Sequence, residues 1–184
     1  MSTTPVRAVL VGCGGMSGAC LRAAAEMEDL EVVGLVDLDA ERAAGRRDEF
    51  ELPQAQVGTE MEAMLDDLRP DVVFDCTVPE AHTKVTVTAL ERGCHVLGEK
   101  PLADSMDNAR ISLRAARETG RTYAVIQNRR YDPNIRRLRR LLDNDAIGSL
   151  TSVDADFYLG AHFGGFRAEM DHVRQGFGDE GITP

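Results

Sequence analysis

The stretch VRAVLVGCGGMSG, residues 6–18, decides the fold class. Its apolar run at 6–12 predicts a buried strand that ends in glycine, and residues 16–28 predict the helix that follows. Gly12 permits a tight turn between them, and Gly14 lets the main chain approach a ligand closely. A glycine turn between a strand and a helix is the context that a dinucleotide-phosphate site requires. A glycine-rich turn without a ligand remains the alternative.

The same alternation of strand and helix continues along the chain. A helix is expected to open at Thr59, capped by that threonine with Glu62 in a capping box. Continuous apolar strands between helices predict a parallel sheet covered on both faces, so the expected fold class is α/β, a doubly wound parallel sheet. Further strands are predicted at 31–37, 55–58, 71–77, 95–98 and 122–127, and helices at 39–50, 79–92, 104–119 and 133–144.

The last part of the chain breaks this pattern. Residues 149–159 predict an extended strand with no partner after it, followed by a glycine-rich stretch with few apolar residues. We therefore predict one complete domain at 1–128 and the start of a second α/β domain at 129–184.

Composition excludes several classes of protein. The 184 residues include 31 acidic and 21 basic ones, for a net charge of -10, which argues against a nucleic-acid-binding face. No apolar run approaches the roughly 20 residues of a membrane span. The first residues do not resemble a secretory signal, so a cytoplasmic location is expected. The four cysteines show neither a CxxC pair nor zinc spacing, and no metal is expected.

Asp37 is the second candidate site residue, because it ends the second predicted strand, 23 residues after Gly14. A carboxylate at this place accepts hydrogen bonds from the ribose hydroxyls of NAD and repels the 2′-phosphate of NADP. The expected cofactor is therefore NAD, with NADP the less favoured one. The alternative role is the N-cap of the next helix, for which Asp39 is an equally good candidate.

Two further motifs follow the fourth and fifth predicted strands, where ligands bind in open α/β sheets. The first contains Thr77, Pro79 and His82, although spacing alone favours an exposed helical histidine. The second contains Glu99 and Lys100, and Lys100 is one of only two lysines in an arginine-rich chain. Lysine can shift its pKa and move a proton, whereas arginine stays protonated. The alternative is an ion pair between surface neighbours.

These motifs together resemble the Gfo/Idh/MocA oxidoreductases. The resemblance covers about residues 5–173 and includes GCGGM at 12–16, TVPEAH at 77–82, EKP at 99–101 and QNRRYDP at 127–133. It implies a Rossmann domain that binds NAD or NADP, and a second domain that holds the substrate and mediates oligomerisation. The implied reaction is hydride transfer between a nicotinamide and a carbinol carbon of a sugar or polyol.

The resemblance also implies roles for individual residues. Lys100 matches the lysine that hydrogen-bonds the substrate and assists proton transfer, and Arg130 lies near the substrate mouth. The implied cofactor-binding residues are Gly12, Gly14, Gly15, Met16, Asp37, Thr77, Pro79, His82, Glu99, Lys100 and Asn128.

The resemblance is lost after Val173, before the Asp and His that family members normally carry further along. We therefore expect a truncated or frameshifted product, or a deliberately shortened chain, with weak or no activity by itself. A homo-oligomer is expected only for a longer form. A non-catalytic NAD-binding module remains the alternative function. Other Rossmann enzymes explain the glycine turn but leave the EKP and QNRRYDP motifs without an account.

Overall fold

A computed structural model describes residues 4–156 of the chain. Its strands are β1 (Val6–Val11), β2 (Leu30–Val36), β3 (Gln56–Gly58), β4 (Val72–Asp75), β5 (His95–Gly98) and β6 (Tyr123–Val125). Its α-helices are α1 (Ser17–Ala25), α2 (Ala40–Glu49), α3 (Met61–Leu68), α4 (Pro79–Glu91), α5 (Met106–Thr119) and α6 (Pro133–Asp143). One turn of 3₁₀-helix covers Asn128–Tyr131. Within residues 4–156, no helix has the length and apolar character that crossing a bilayer requires.

The six strands form one parallel sheet in the order β3-β2-β1-β4-β5-β6. This is the predicted Rossmann-type sheet. The chain moves outward from β1 to β3 on one side and then returns to pair β4 with the other edge of β1. The strand order reverses between β1 and β4, and a crevice at such a reversal is where open α/β sheets bind ligands.

Apolar side chains cover both faces of the sheet because central strands alternate buried residues between two helix layers. Val9, Leu10 and Val73 are fully buried at the centre. One cluster joins the sheet to α3 and α4, and the other joins it to α1 and α2. This core fixes the strand ends, and thereby the turns that follow them.

Two local predictions are wrong. α3 begins at Met61 after Glu60, with no side-chain cap, so Thr59 lies one residue too early to bond the helix N–H groups. Residues 149–156 contain no strand and are exposed, and none of the strands described within residues 4–156 pairs with them. An extended segment without a pairing partner is not stable by itself. The remainder of that prediction, 157–159, and the loss of resemblance after Val173 lie outside the described residues.

The chain divides between Asp132 and Pro133 into two compact units. In the described part of the second unit, α6 is amphipathic and exposes about half of the surface of Ile135, Leu138 and Leu141. The extent of a second domain stays a prediction.

Candidate functional site

The predicted site residues of the first unit follow the carboxyl ends of four neighbouring strands. In a parallel sheet these ends lie at one edge. The turns after β1, β2, β4 and β5 therefore meet there, and main-chain hydrogen bonds join them. Gly12 N donates to Val36 O, Cys76 N to Val11 O and Glu99 N to Asp75 O, each at 2.8 Å.

Only glycine fits at position 12. Its φ is +91°, and a Cβ there would lie 2.7 Å from the carbonyl carbon of Cys76 and 2.8 Å from Thr77 N. By contrast, a Cβ on Gly14 or Gly15 would meet nothing within 4 Å. The chain thus turns tightly against the end of β4 and then opens to free space.

The open part of this turn presents unpaired donors. No main-chain or side-chain acceptor within residues 4–156 receives the N–H groups of Gly14, Gly15 or Met16. They precede α1, whose amino terminus carries partial positive charge. Ser17 is fully buried, and its hydroxyl donates to Gly14 O at 2.5 Å. Free N–H groups, open space and a helix start form a cradle that fits a pyrophosphate.

Asp37 holds the glycine turn. Its carboxyl is 8% exposed, with Oδ2 accepting from Cys13 N at 2.8 Å and Oδ1 from Asp39 N at 3.0 Å. The N-cap of α2 is Asp39, which accepts from Glu41 N and Arg42 N. The capping alternative for Asp37 is therefore wrong.

An arginine that was not predicted as a site residue stabilises the same turn. Arg46, on α2, donates from Nε to Cys13 O at 3.3 Å and from Nη2 to Gly14 O at 3.0 Å. Arg42 lies 3.4 Å from Asp37 Oδ1 and ion-pairs with Asp39. Nothing in the sequence distinguishes these arginines from others on charged helix faces, because the contacts depend on the packing of α2 against β2 and β3.

A buried polar cluster lies at the end of β4. Asp75 is 0% and His82 1% exposed, and His82 Nδ1 lies 2.9 Å from Asp75 Oδ2. Thr77 donates to Asp75 Oδ1 from Oγ1 at 2.5 Å and from its main-chain N at 3.1 Å. The expectation of an exposed His82 is wrong, because Asp75 holds the ring inside. Asp75 was not predicted, although an acid that ends the apolar run VVFD was a usable signal.

The turn after β5 separates Glu99 from Lys100. The Glu99 side chain is 5% exposed and accepts from Lys100 N at 3.2 Å, whereas the Lys100 side chain is exposed. Within the part of the chain that the structure describes, no ion pair joins the two side chains, so the neighbour-pair alternative is wrong. Tyr123 OH donates to Leu102 O at 2.9 Å and thereby holds the far side of this turn. The Lys100–Pro101 peptide bond is cis.

Within residues 4–156, the remaining predicted residues form no hydrogen bond with the side chains of Asp37, Asp75, His82 or Glu99. Asn128 and Arg130 are exposed on the 3₁₀ turn, where Asn128 Oδ1 accepts from Arg129 N at 2.8 Å. Pro79 is the first residue of α4, and Met16 is the 42% exposed N-cap residue of α1. In residues 4–156 no group of three His, Cys, Asp or Glu side chains is arranged to hold a metal ion.

Three free thiols lie in or near the glycine turn, those of Cys13, Cys20 and Cys76. Burial raises the pKa of Cys13 to about 12, with the nearby Asp37 charge adding to the rise. Cys76 Sγ lies 3.3 Å from Cys20 Sγ. This hydrogen bond raises the pKa of Cys76, with burial adding to it, and lowers the pKa of Cys20. Cys13 and Cys76 therefore behave as core residues.

The fold and this cradle define a dinucleotide-binding α/β domain. Comparison with known proteins is specific: residues 6–127 match the model of the oxidoreductase family with an NAD-binding Rossmann fold. The chain belongs to this Gfo/Idh/MocA family, as its motifs predicted.

Similar proteins include several dehydrogenases. The chain is 30% identical over 156 residues to D-glucoside 3-dehydrogenase of Escherichia coli, which covers 82% of this chain and 42% of that protein. It is 29% identical over 151 residues to D-apiose dehydrogenase of Paraburkholderia graminis, covering 80% and 40%. The chain thus spans about two fifths of the length of these relatives.

Solved structures agree on the fold. An oxidoreductase from Agrobacterium radiobacter in complex with NAD+, L-tartaric acid and magnesium has a TM-score of 0.74 at 22% identity. The match covers 79% of this chain and 42% of that one. The myo-inositol 2-dehydrogenase of Lactobacillus plantarum has a TM-score of 0.73 at 22% identity, covering 79% and 43%.

Proposed function

We propose that this chain supplies the cofactor half of an NAD-dependent sugar or polyol dehydrogenase. The observation that carries the proposal is the cradle of unpaired N–H groups at Gly14, Gly15 and Met16, backed by the buried Asp37. The relatives named above as sugar dehydrogenases support the substrate class. Membership in the family concerns the Rossmann domain, and the substrate is part of the proposal.

Each group has a separate task in this proposal. The cradle binds the pyrophosphate, and Asp37 accepts hydrogen bonds from the adenosine ribose while disfavouring a 2′-phosphate. The nicotinamide end is shaped by four residues that follow β4 and β5, with Asn128 beside it: Thr77, Pro79, His82 and Glu99. When bound, the nicotinamide supplies the hydride chemistry. Lys100 holds or releases the proton of the substrate hydroxyl at Nζ, and Arg130 contacts the substrate.

The chain alone is expected to bind cofactor and to turn over weakly or not at all. Orientation of reactants is worth roughly 7–11 kcal/mol of an activation barrier. Because the chain spans about 42% of a typical relative, much of the substrate-orienting surface lies in the part it does not span. A homo-oligomer of a longer form and a cytoplasmic location are also part of the proposal. The second candidate, a non-catalytic NAD-binding module, shares the cradle and lacks turnover in every form.

Asp37→Ala tests the cofactor assignment. We expect NADH affinity to fall by about 1–3 kcal/mol, since a charged hydrogen-bond partner is removed. The difference between the affinities for NADH and NADPH should become smaller at the same time. NADH and NADPH fluorescence titrations measure both effects, and thermal unfolding monitors the turn. Asp39→Ala is the control, because it removes the α2 cap and an ion pair with Arg42 but no hydrogen bond to the glycine turn, and it should leave NADH affinity unchanged. Equal NADH affinity in the Asp37 variant would contradict the assignment.

Lys100→Ala tests the proton-handling role. The side chain is exposed, so we expect an unchanged fold and unchanged NADH affinity. In a longer form that carries the substrate domain, turnover on a polyol panel should be lost. Lys84→Ala, the variant of the only other lysine, is the matched control and should keep full turnover. Turnover that survives in Lys100→Ala would remove this residue from the mechanism, and absence of turnover in the parent would favour the binding module.

A further inference from the structure

Burial of the Asp75 carboxyl costs free energy. It is 0% exposed at the end of a strand whose other residues are apolar. A carboxylate without partners costs several kcal/mol to bury, so it persists only where hydrogen bonds compensate for lost water. Asp75 has three such bonds, two from Thr77 and one from His82. His82 itself leaves its buried Nε2 without a partner among residues 4–156, a further cost that an apolar residue would avoid.

These bonds fix where the protons lie. A carboxylate only accepts, so the nitrogen that faces Asp75 Oδ2, His82 Nδ1, carries a hydrogen. The Thr77 hydroxyl donates its single proton to Asp75 Oδ1 at 2.5 Å, because the other acceptor within reach, the main-chain O of Val78, lies 3.5 Å away. His82 Nδ1 also lies 3.3 Å from Thr77 Oγ1. The Thr77 oxygen is left with a lone pair and no proton to give, so it recognises a hydrogen-bond donor and not an acceptor.

Thr77 stands where such recognition matters. It is only half-buried, and it follows β4 at the strand-order reversal. Its main-chain N lies beside Gly12, in the tight turn that precedes the cradle. The main-chain O of Asp75 also accepts from Glu99 N, at the start of the turn that carries Lys100. One buried residue thus ties together the turn after β4 and the turn after β5.

We propose that Asp75 is a positioning residue that holds the Thr77 hydroxyl as an acceptor for a donor group on the dinucleotide. The donor is a ribose hydroxyl or the N–H of the nicotinamide carboxamide. The inference rests on the proposed cofactor site and adds to it the residue that sets the direction of one hydrogen bond.

A double-mutant cycle tests whether Asp75 acts through Thr77. Asp75→Asn keeps the side-chain size but cannot accept from Thr77 and His82 as a carboxylate does. We expect Asp75→Asn and Thr77→Val each to weaken NADH binding about 5- to 10-fold, as loss of one hydrogen bond does. The double variant should bind no more weakly than Thr77→Val alone. An unchanged affinity in Asp75→Asn, or full additivity of the two losses, would overturn the proposal.

ADP-ribose distinguishes the two donors, because it contains both riboses but no carboxamide. Its affinity is measured by calorimetry for the wild-type chain and Thr77→Val. If Thr77→Val loses as much affinity for ADP-ribose as for NADH, the proposal is supported with a ribose hydroxyl as the donor. A loss seen for NADH alone supports it with the carboxamide as donor. Wild-type affinity of Thr77→Val for both ligands would overturn it, even if Asp75→Asn failed to fold.

Two control variants separate the effect of the Thr77 hydroxyl on binding from effects on the stability of the fold. Thr77→Ser keeps the hydroxyl and should keep NADH affinity. Asp71→Asn removes a carboxylate beside the opposite end of the same strand, where Oδ2 accepts from Arg7 N at 2.8 Å. It should lower thermal stability without changing NADH affinity. A wild-type chain that does not bind NADH would overturn the proposed function, whereas normal binding by the wild type and by Asp75→Asn would overturn only the positioning role.

Discussion

Asp37 shows how one residue serves both the fold and the site. Its two carboxylate oxygens accept from the main chain of the glycine turn and of the turn before α2. A carboxylate has about four lone-pair positions, so capacity remains for ribose hydroxyls. The same charge that favours a ribose also holds the cradle in shape. Substitution of Asp37 therefore changes both binding and local structure, which is why its test needs the Asp39 control.

The two glycines at positions 12 and 45 should respond oppositely to alanine. Gly12→Ala forces φ +91° on an L-residue and drives its Cβ into the main chain of Cys76. We expect a loss of unfolding free energy above about 2 kcal/mol. Gly45 lies inside α2 with nothing within 4 Å of an added Cβ, so Gly45→Ala should gain about 0.5–1 kcal/mol. Urea unfolding measures both, and a mild effect at position 12 would contradict the close approach of β1 and β4.

At the scale of elements, most strands and helices follow from the sequence because a parallel sheet needs apolar strands, and apolar runs are visible. The β1 turn, the order of alternation and the helix end at Gly120 were predictable in this way. Contacts between elements were not. The burial of His82 depends on Asp75, and the bracing of the glycine turn depends on Arg46, so each requires the packed structure.

Helix caps give an element-level test of this distinction. Ser105 accepts from Asn108 N and caps α5, whereas Thr59 makes no cap despite its motif. Ser105→Ala should therefore cost about 1 kcal/mol of unfolding free energy, and Thr59→Ala should cost almost nothing. Thermal unfolding of the two variants side by side provides the measurement. A larger loss at Thr59 than at Ser105 would favour the capping box predicted from the sequence.

At the scale of the whole molecule, buried thiols make the unfolding free energy depend on pH in the alkaline range. Burial raises the pKa of Cys13 from 9.0 to about 12 and also raises the pKa of Cys94, and it raises that of Tyr123 from 10.0. The unfolded chain therefore loses these protons before the folded chain does. The contribution of these three groups to the unfolding free energy should have its full value below about pH 9 and decline as pH rises from about 9 towards 12.

Urea unfolding at pH 7.5, 9 and 10.5 measures this decline. Cys13→Ala removes one contributing thiol and should make the pH dependence shallower than in the parent. A free energy of unfolding that stays constant or increases between pH 9 and 10.5 would show that these groups are not protected in the folded chain.

The strand order has a consequence for the time at which the site exists. β1 and β2 are close in the chain and can pair early, but β1 pairs with β4 across a long stretch of chain, as Val9 opposite Val73 shows. Long-range pairings of this kind form slowly, and synthesis on the ribosome delivers β4 and β5 after β1 and β2. The tight turn at Gly12, which precedes the cradle, packs against Cys76, and the turn that carries Lys100 is hydrogen-bonded to Asp75 O. A nascent chain therefore has no dinucleotide site until β4 and β5 have been made. Ligand binding stabilises the assembled sheet and cannot guide the start of its folding.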